Sequence, residues 1–144
     1  MQPTTALLLA GDIGGTKTTL ALIAPEIGPR QPLAEATFPS NRYPNLETIV
    51  HEFLQQTTHQ VDYACFGVAG PVVNGRATIT NLSWVMDERQ LAASLQLRGT
   101  SLLNDLVAIA NAIPFLTDED LYTLNAGRSV EGVACRGAPR HRIG

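Results

Sequence analysis

Apolar and polar positions along the chain switch between two periods, one that suits strands and one that suits helices. Residues 7–10 are a short apolar run, and residues 18–24 are a second, rich in Thr, Leu and Ile. The glycine-rich stretch between them predicts two strands joined by a tight turn. Pro25, Gly28, Pro29 and Pro32 then mark a loop, and residues 33–38 predict a third strand. Leu46, Ile49, Val50, Phe53 and Leu54 fall at i, i+3, i+4, i+7 and i+8, one face of an α-helix over 46–57 with Asn45 as its N-cap. Residues 61–68 return as an apolar strand ending at Ala69-Gly70-Pro71. Residues 72–80 hold Asn74-Gly75, a hairpin turn. Asp87 with Gln90 resembles a capping box opening a helix that carries Leu91, Ala92 and Leu95. Residues 100–103 predict another strand, and Leu106, Ile109, Ala110 and Ile113 a further helix over 105–113, stopped by Pro114. Residues 121–124 predict a last strand. Strands mixed with helices in this order imply an α/β layer structure around a mixed sheet.

Composition narrows the function classes. The 144 residues are 44% hydrophobic and 16% charged, enough to bury a core. Ten basic against thirteen acidic residues give −3, the wrong sign for a nucleic-acid grip. Lys17 is the single lysine. Two cysteines, Cys65 and Cys135, make neither a disulfide framework nor a four-ligand zinc site. No run approaches the roughly 18 apolar residues that span a bilayer, and the first residues lack a positively charged leader. A cytoplasmic protein with reduced thiols, with no membrane or nucleic-acid partner, is expected.

The most informative stretch is Gly11-Asp12-Ile13-Gly14-Gly15-Thr16-Lys17-Thr18. Glycines accept positive φ and let backbone N–H groups approach an anion. With the hydroxyls of Thr16 and Thr18 and the ammonium of Lys17, the turn suits phosphate. Asp12, at a strand end, suits Mg²⁺ held through water. The spacing fits neither Gly-x-Gly-x-x-Gly nor Gly-x-x-x-x-Gly-Lys-[Ser/Thr], and a strand, not a helix, follows. The other reading is a purely structural hairpin bend.

Asp105 stands where an apolar strand gives way to a helix. There it is either an N-cap or a base that takes a proton from an attacking hydroxyl, with Asn104 beside it to orient a substrate. Asn81 and Trp84, in Thr80-Asn81-Leu82-Ser83-Trp84, offer an amide and a ring for a polyol. For Trp84 the core is the favoured place, and Asn81 is equally a turn residue. His51, His59 and His141 have no ligand spacing and are assigned no metal.

Four stretches, in order, resemble the N-terminal domain of the bacterial ATP-dependent glucokinases of the sugar-kinase/Hsp70/actin superfamily. They are 11–18, Phe66-Gly67-Val68-Ala69-Gly70-Pro71-Val72, 80–84, and Leu103-Asn104-Asp105-Leu106-Val107-Ala108-Ile109-Ala110. The resemblance covers residues 7 to about 127. It implies a ribonuclease-H-like, actin-like ATPase domain with a mixed five-stranded sheet. It implies ATP phosphates at Gly11, Asp12, Ile13, Gly14, Gly15 and Thr16, Mg²⁺ near Asp12, glucose at Asn81, Asn104 and Asp105, and Asp105 as the catalytic base. The repressor/open-reading-frame/kinase group shares the first motif, but Leu103–Leu106 and Thr80–Trp84 fit the glucokinases better.

Those kinases have a second domain supplying a Gly-Thr-Gly-Leu-Gly turn, a Glu/His pair on the sugar and the adenosine pocket, none of which stands in these 144 residues. Half a cleft is expected here, weak or inactive alone. A non-catalytic sugar- or partner-binding module is the alternative. Residues 1–127 form the expected domain and 128–144 a divergent tail. Pro139-Arg140-His141-Arg142-Ile143-Gly144 admits codons that, shifted by one base, read Pro-Gly-Thr-Gly-Leu-Gly. One expectation is therefore a change of reading frame, in the gene or in its sequencing, just upstream of Pro139; a natural divergent tail is the alternative.

Overall fold

The structure is a computed structural model that describes residues 6–128. It divides into two units, one running to Asp105 and the other beginning at Leu106. The shifted frame expected near Pro139 lies outside the described residues.

In the first unit, alternation of apolar and polar side chains builds a five-stranded sheet in the order β3-β2-β1-β4-β8. Its strands are β1 (Leu8–Ile13), β2 (Lys17–Ile23), β3 (Ala34–Pro39), β4 (Tyr63–Val68) and β8 (Gly99–Asn104). The first three form an antiparallel meander, and β4 and β8 add in parallel beside β1. The mixed sheet expected from the sequence is present. One face carries Leu9, Ile13, Leu20, Leu22, Phe66 and Val68, all fully buried.

That face joins one core cluster with Leu46, Ile49, Val50 and Phe53 of α1 (Leu46–Gln55) and Leu91 of α2 (Glu88–Ser94). The helical face read from the sequence is the buried face of α1, and Phe53 meets Phe38 of β3 edge to face at 6.5 Å. Both predicted caps form. The Asn45 side chain accepts from Thr48 N–H at 2.9 Å, and the Asp87 carboxylate accepts from Arg89 N–H at 2.9 Å and Gln90 N–H at 3.1 Å.

A second, antiparallel sheet holds β5 (Val72–Val73), β6 (Arg76–Thr78) and β7 (Val85–Asp87). The Asn74-Gly75 turn joins β5 to β6, with φ 51° and 72° at its two residues. The sequence pattern did not predict β7. It is three residues long, and its one buried side chain, Met86, is too short a signal to read as alternation.

α3 spans Asp105–Ala112, so all but its first residue belongs to the second unit, where turns of 3₁₀-helix follow it. The strand expected over 121–124 is not there. Those residues enter no ladder with any described strand, and Tyr122 and Leu124 are 86% and 88% exposed. An apolar run becomes a strand only where another strand accepts its backbone hydrogen bonds.

Candidate functional site

Register places the candidate residues at one end of the sheet. Ile13, Val68 and Asn104 are partners across the parallel strands β1, β4 and β8. The next residues, Gly14, Ala69 and Asp105, therefore leave the sheet side by side at its carboxyl end, where ligands of open α/β sheets bind. The Ala69 N–H donates to the Ile13 carbonyl at 3.0 Å and holds two of these exits together.

The glycine stretch is more strand than its composition suggests. Gly11, Asp12 and Ile13 lie in β1 with ladder partners on both sides, so the turn proper is Gly14–Thr16. Gly11 is a packing glycine. A Cβ there would come within 2.6 Å of Phe66 Cδ1 and 2.9 Å of Leu20 Cδ2. Ile13 is buried in the core. Asp12 projects from the opposite face of the strand and is exposed.

The positive φ expected of the turn glycines is absent; among the described glycines only Gly28 and Gly75 adopt it. Gly14 is required for a different reason. Its N–H donates to the Lys17 carbonyl at 3.0 Å, and a Cβ on Gly14 would stand 2.9 Å from that oxygen. Gly15 has room. A Cβ there would meet nothing closer than Asn81 Cβ at 3.6 Å, an ordinary contact. Packing therefore does not explain the glycine at 15.

Asn81 sits in the loop between β6 and β7 and is exposed, its side chain beside Gly15. The structure thus joins two motifs that are 66 positions apart. Trp84 is in the core, 3% exposed, with its Nε1–H donating to the Tyr43 carbonyl at 3.2 Å. The core reading of the tryptophan holds.

Asn104 is half-buried, and its Nδ2 donates to the Gly70 carbonyl at 2.8 Å, tying the end of β8 to the turn after β4. Gly70 itself needs to be glycine, because a Cβ would lie 2.8 Å from the Thr78 carbonyl oxygen. Asp105 is half-buried and is the first residue of α3, where the helix dipole favours a carboxylate.

Two residues correct the sequence reading: Ser40, which it missed, and Thr18, whose hydroxyl it offered to phosphate. They are fully buried, their hydroxyls lie 2.9 Å apart, and Ser40 Oγ donates to the Gly14 carbonyl at 2.8 Å. Nothing in a polar Pro-Ser-Asn-Arg stretch signals a buried hydroxyl; only the β2–β3 register brings Ser40 under the turn.

Among the described residues no group of three His, Cys, Asp or Glu side chains could hold a metal ion. No helix among them is long and apolar enough to cross a membrane. At the end of β1 the exposed carboxylate of Asp12 is the donor for a hard cation, and one protein carboxylate suits an ion that keeps most of its waters.

Comparison with known proteins bears on the family and the fold. The glucokinase of Trichormus variabilis is 42% identical over 127 residues, covering 85% of this chain and 36% of that protein. The glucokinase of Psychromonas ingrahamii is 35% identical over 132 residues, covering 90% and 40%. The chain thus spans little more than a third of the length of these relatives. Among solved structures, a glucokinase from an Antarctic psychrotroph superimposes with a TM-score of 0.75 at 29% identity, over 87% of this chain and 40% of that one. A ROK family glucokinase from Streptomyces griseus, solved in complex with glucose and AMPPNP, aligns with a TM-score of 0.56 at 22% identity, over 73% and 35%. The fold is that of the actin-like sugar kinases, as expected. Residues 9–137 match the Glucokinase family, and a match over that much of the sequence makes this chain a member of the glucokinase family.

Proposed function

We propose that this chain carries the phosphate turn, the sugar-side amides and the general base of an ATP-dependent glucokinase. Such an enzyme transfers the γ-phosphoryl group of ATP to the 6-hydroxyl of glucose. The observation that carries the reading is the shared carboxyl end of β1, β4 and β8. The Gly14–Thr16 turn with Asn81 against it, and Asn104 with Asp105, leave the sheet there together.

In this reading the backbone N–H groups of the turn receive the donor's phosphates, with Thr16 and Lys17 at its rim. Asn104, held by Gly70, and Asn81 hydrogen-bond sugar hydroxyls and fix the pose. Asp105 accepts the proton of the 6-hydroxyl as its oxygen attacks the γ-phosphorus. The bond from that phosphorus to the β,γ-bridging oxygen breaks, and ADP leaves. Asp12 would hold Mg²⁺ through water, and the bound ion would supply charge neutralisation on the phosphates. Exclusion of water requires a second wall over the sugar, which the remaining length of the relatives would supply. A cytoplasmic setting belongs to the same proposal.

A binding module without turnover is the second reading, because Asn81 and Asn104 offer sugar contacts whether or not Asp105 acts as a base. The family match ends at residue 137, two positions before Pro139, which supports the proposed change of reading frame; the gene sequence through codons 128–144 tests it.

The functional test is glucose-dependent ADP release by the purified chain, run beside glucose binding by calorimetry. Turnover that falls about 10²-fold or more in Asp105→Asn, with glucose affinity within a few-fold, is the expected result. Glucose binding without turnover favours the module. Binding of neither glucose nor nucleotide refutes both.

A further inference from the structure

Thr18 and Ser40 are the two fully buried polar side chains of the described residues, and both serve the glycine turn. Ser40 Oγ donates to the Gly14 carbonyl at 2.8 Å, and that oxygen can only accept. The hydroxyl has one hydrogen, so the 2.9 Å contact between Thr18 Oγ1 and Ser40 Oγ has Thr18 as donor. The backbone N–H of Ser40 also donates to the Thr16 carbonyl at 3.0 Å. One residue, immediately after β3, thus grips the first and third residues of the turn.

The Gly14–Gly15 peptide is trans, because the chain has no cis bonds among the described residues. In a trans peptide the C=O and the following N–H point in opposite directions. With the Gly14 carbonyl drawn inward onto Ser40, the Gly15 N–H is turned outward. Among the described residues, the Gly15 and Thr16 N–H groups have no hydrogen-bond partner.

We infer that the hydroxyl chain from Thr18 through Ser40 to the Gly14 carbonyl is a positioning device, which fixes the Gly15 N–H toward the phosphate of the phosphoryl donor. Thr18 and Ser40 touch no substrate and act through the turn. The inference rests on the functional reading above for its ligand. Its geometric half, a locked peptide plane, stands independently.

Three variants of the full chain test it: Ser40→Ala, Thr18→Val and Thr18→Ser. The probes are AMPPNP with Mg²⁺ and, separately, glucose, each by calorimetry. Amide hydrogen exchange at Gly14 and at residue 40, whose N–H groups are hydrogen-bonded within the turn, is measured in the ligand-free chain alongside thermal melts. Ser40→Ala and Thr18→Val are expected to lower nucleotide affinity by about tenfold or more, the worth of one misdirected charge-assisted hydrogen bond. Glucose affinity is expected to stay within twofold, and Thr18→Ser, which keeps the donor, to bind nucleotide like the wild type. If Ser40→Ala does not fold, Thr18→Val, which keeps the shape and removes only the donated hydrogen, carries the test. Nucleotide affinity unchanged, or nucleotide and glucose affinity lost together, overturns the inference. Should the wild type bind no nucleotide, the functional reading fails on its own. The locked plane is then judged by exchange at the two hydrogen-bonded amides of the turn: faster exchange at Gly14 and at residue 40 in Ser40→Ala upholds it, and unchanged exchange overturns it.

Discussion

Two glycines four positions apart are expected to respond to alanine in opposite ways. At Gly11 a methyl would lie 2.6 Å from Phe66 Cδ1, 2.9 Å from Leu20 Cδ2 and 3.1 Å from Ile13 Cδ1. Carbon atoms pack at about 3.5–4.0 Å, so the overlap reaches roughly 1 Å. All three neighbours are fully buried with no room to retreat. Overpacking of this kind costs about 1–3 kcal/mol. At roughly 4 °C per kcal/mol for a domain of this size, Gly11→Ala lowers Tm by about 4–12 °C. At Gly15 the nearest atom to the methyl is Asn81 Cβ at 3.6 Å, and the backbone does not need positive φ. Gly15→Ala therefore leaves stability unchanged or raises it by about 0.4–1 kcal/mol through the unfolded chain. The same methyl covers the N–H that the phosphate approaches, so affinity for AMPPNP with Mg²⁺ falls about tenfold or more. Thermal melts and calorimetry on both variants decide it. The reasoning is refuted if Gly15→Ala destabilises as much as Gly11→Ala, which makes the turn structural. It is refuted equally if Gly15→Ala binds nucleotide like the wild type.

Three further outcomes follow from local geometry. Asn45→Ala removes the cap that accepts both the N–H and the hydroxyl of Thr48, at 2.9 and 2.7 Å, and should cost about 1 kcal/mol in a urea melt. Asp87 has its carboxyl held below the usual range, first by the Gln90 N–H and then by the Arg76 side chain 2.8 Å away. A lowered folded-state value stabilises above the unfolded carboxyl's about 3.9 and is lost as pH falls through the lowered value. The stability gap between wild type and Asp87→Asn, followed by melts from pH 7 downward, is therefore expected to close below about pH 4. The Cys65 thiol is pushed up by burial and then by the Glu88 charge, so iodoacetamide at pH 7 should label it at least about tenfold more slowly than in the urea-unfolded chain, read by peptide mass.

What the sequence made legible was whatever repeats locally. The five apolar positions of α1 form a face because helix geometry alone aligns them, and four of them, Leu46, Ile49, Val50 and Phe53, are buried. Asn45 and Asp87 cap because a short polar side chain needs only its own next turn. Long-range features were hidden. Gly11 and Asp12 carry weak strand propensity, so β1 seemed to stop at Ala10, although ladders on both sides carry it to Ile13. Gly14 looked like a positive-φ glycine and is instead a close-contact one. Ser40 is buried by a strand pairing that no local pattern encodes, and residues 121–124 have strand-like composition without a strand to pair with.

Of the candidate site, the order of the motifs was readable, and their convergence was not. Asn81 reaches Gly15, and Asn104 reaches Gly70, only through the register of β1, β4 and β8 and the loop of the second sheet. That convergence is the central claim. It is tested most directly by amide chemical-shift mapping of the ¹⁵N-labelled chain, titrated with AMPPNP and Mg²⁺ and then with glucose. The account predicts nucleotide-induced shifts at Gly14, Gly15 and Thr16, and glucose-induced shifts at Asn81, Asn104 and Asp105. Shifts confined to the other end of the sheet, at the 270 Å³ cavity lined by His59, Asp62 and Arg98, would contradict it, as would no shifts at all.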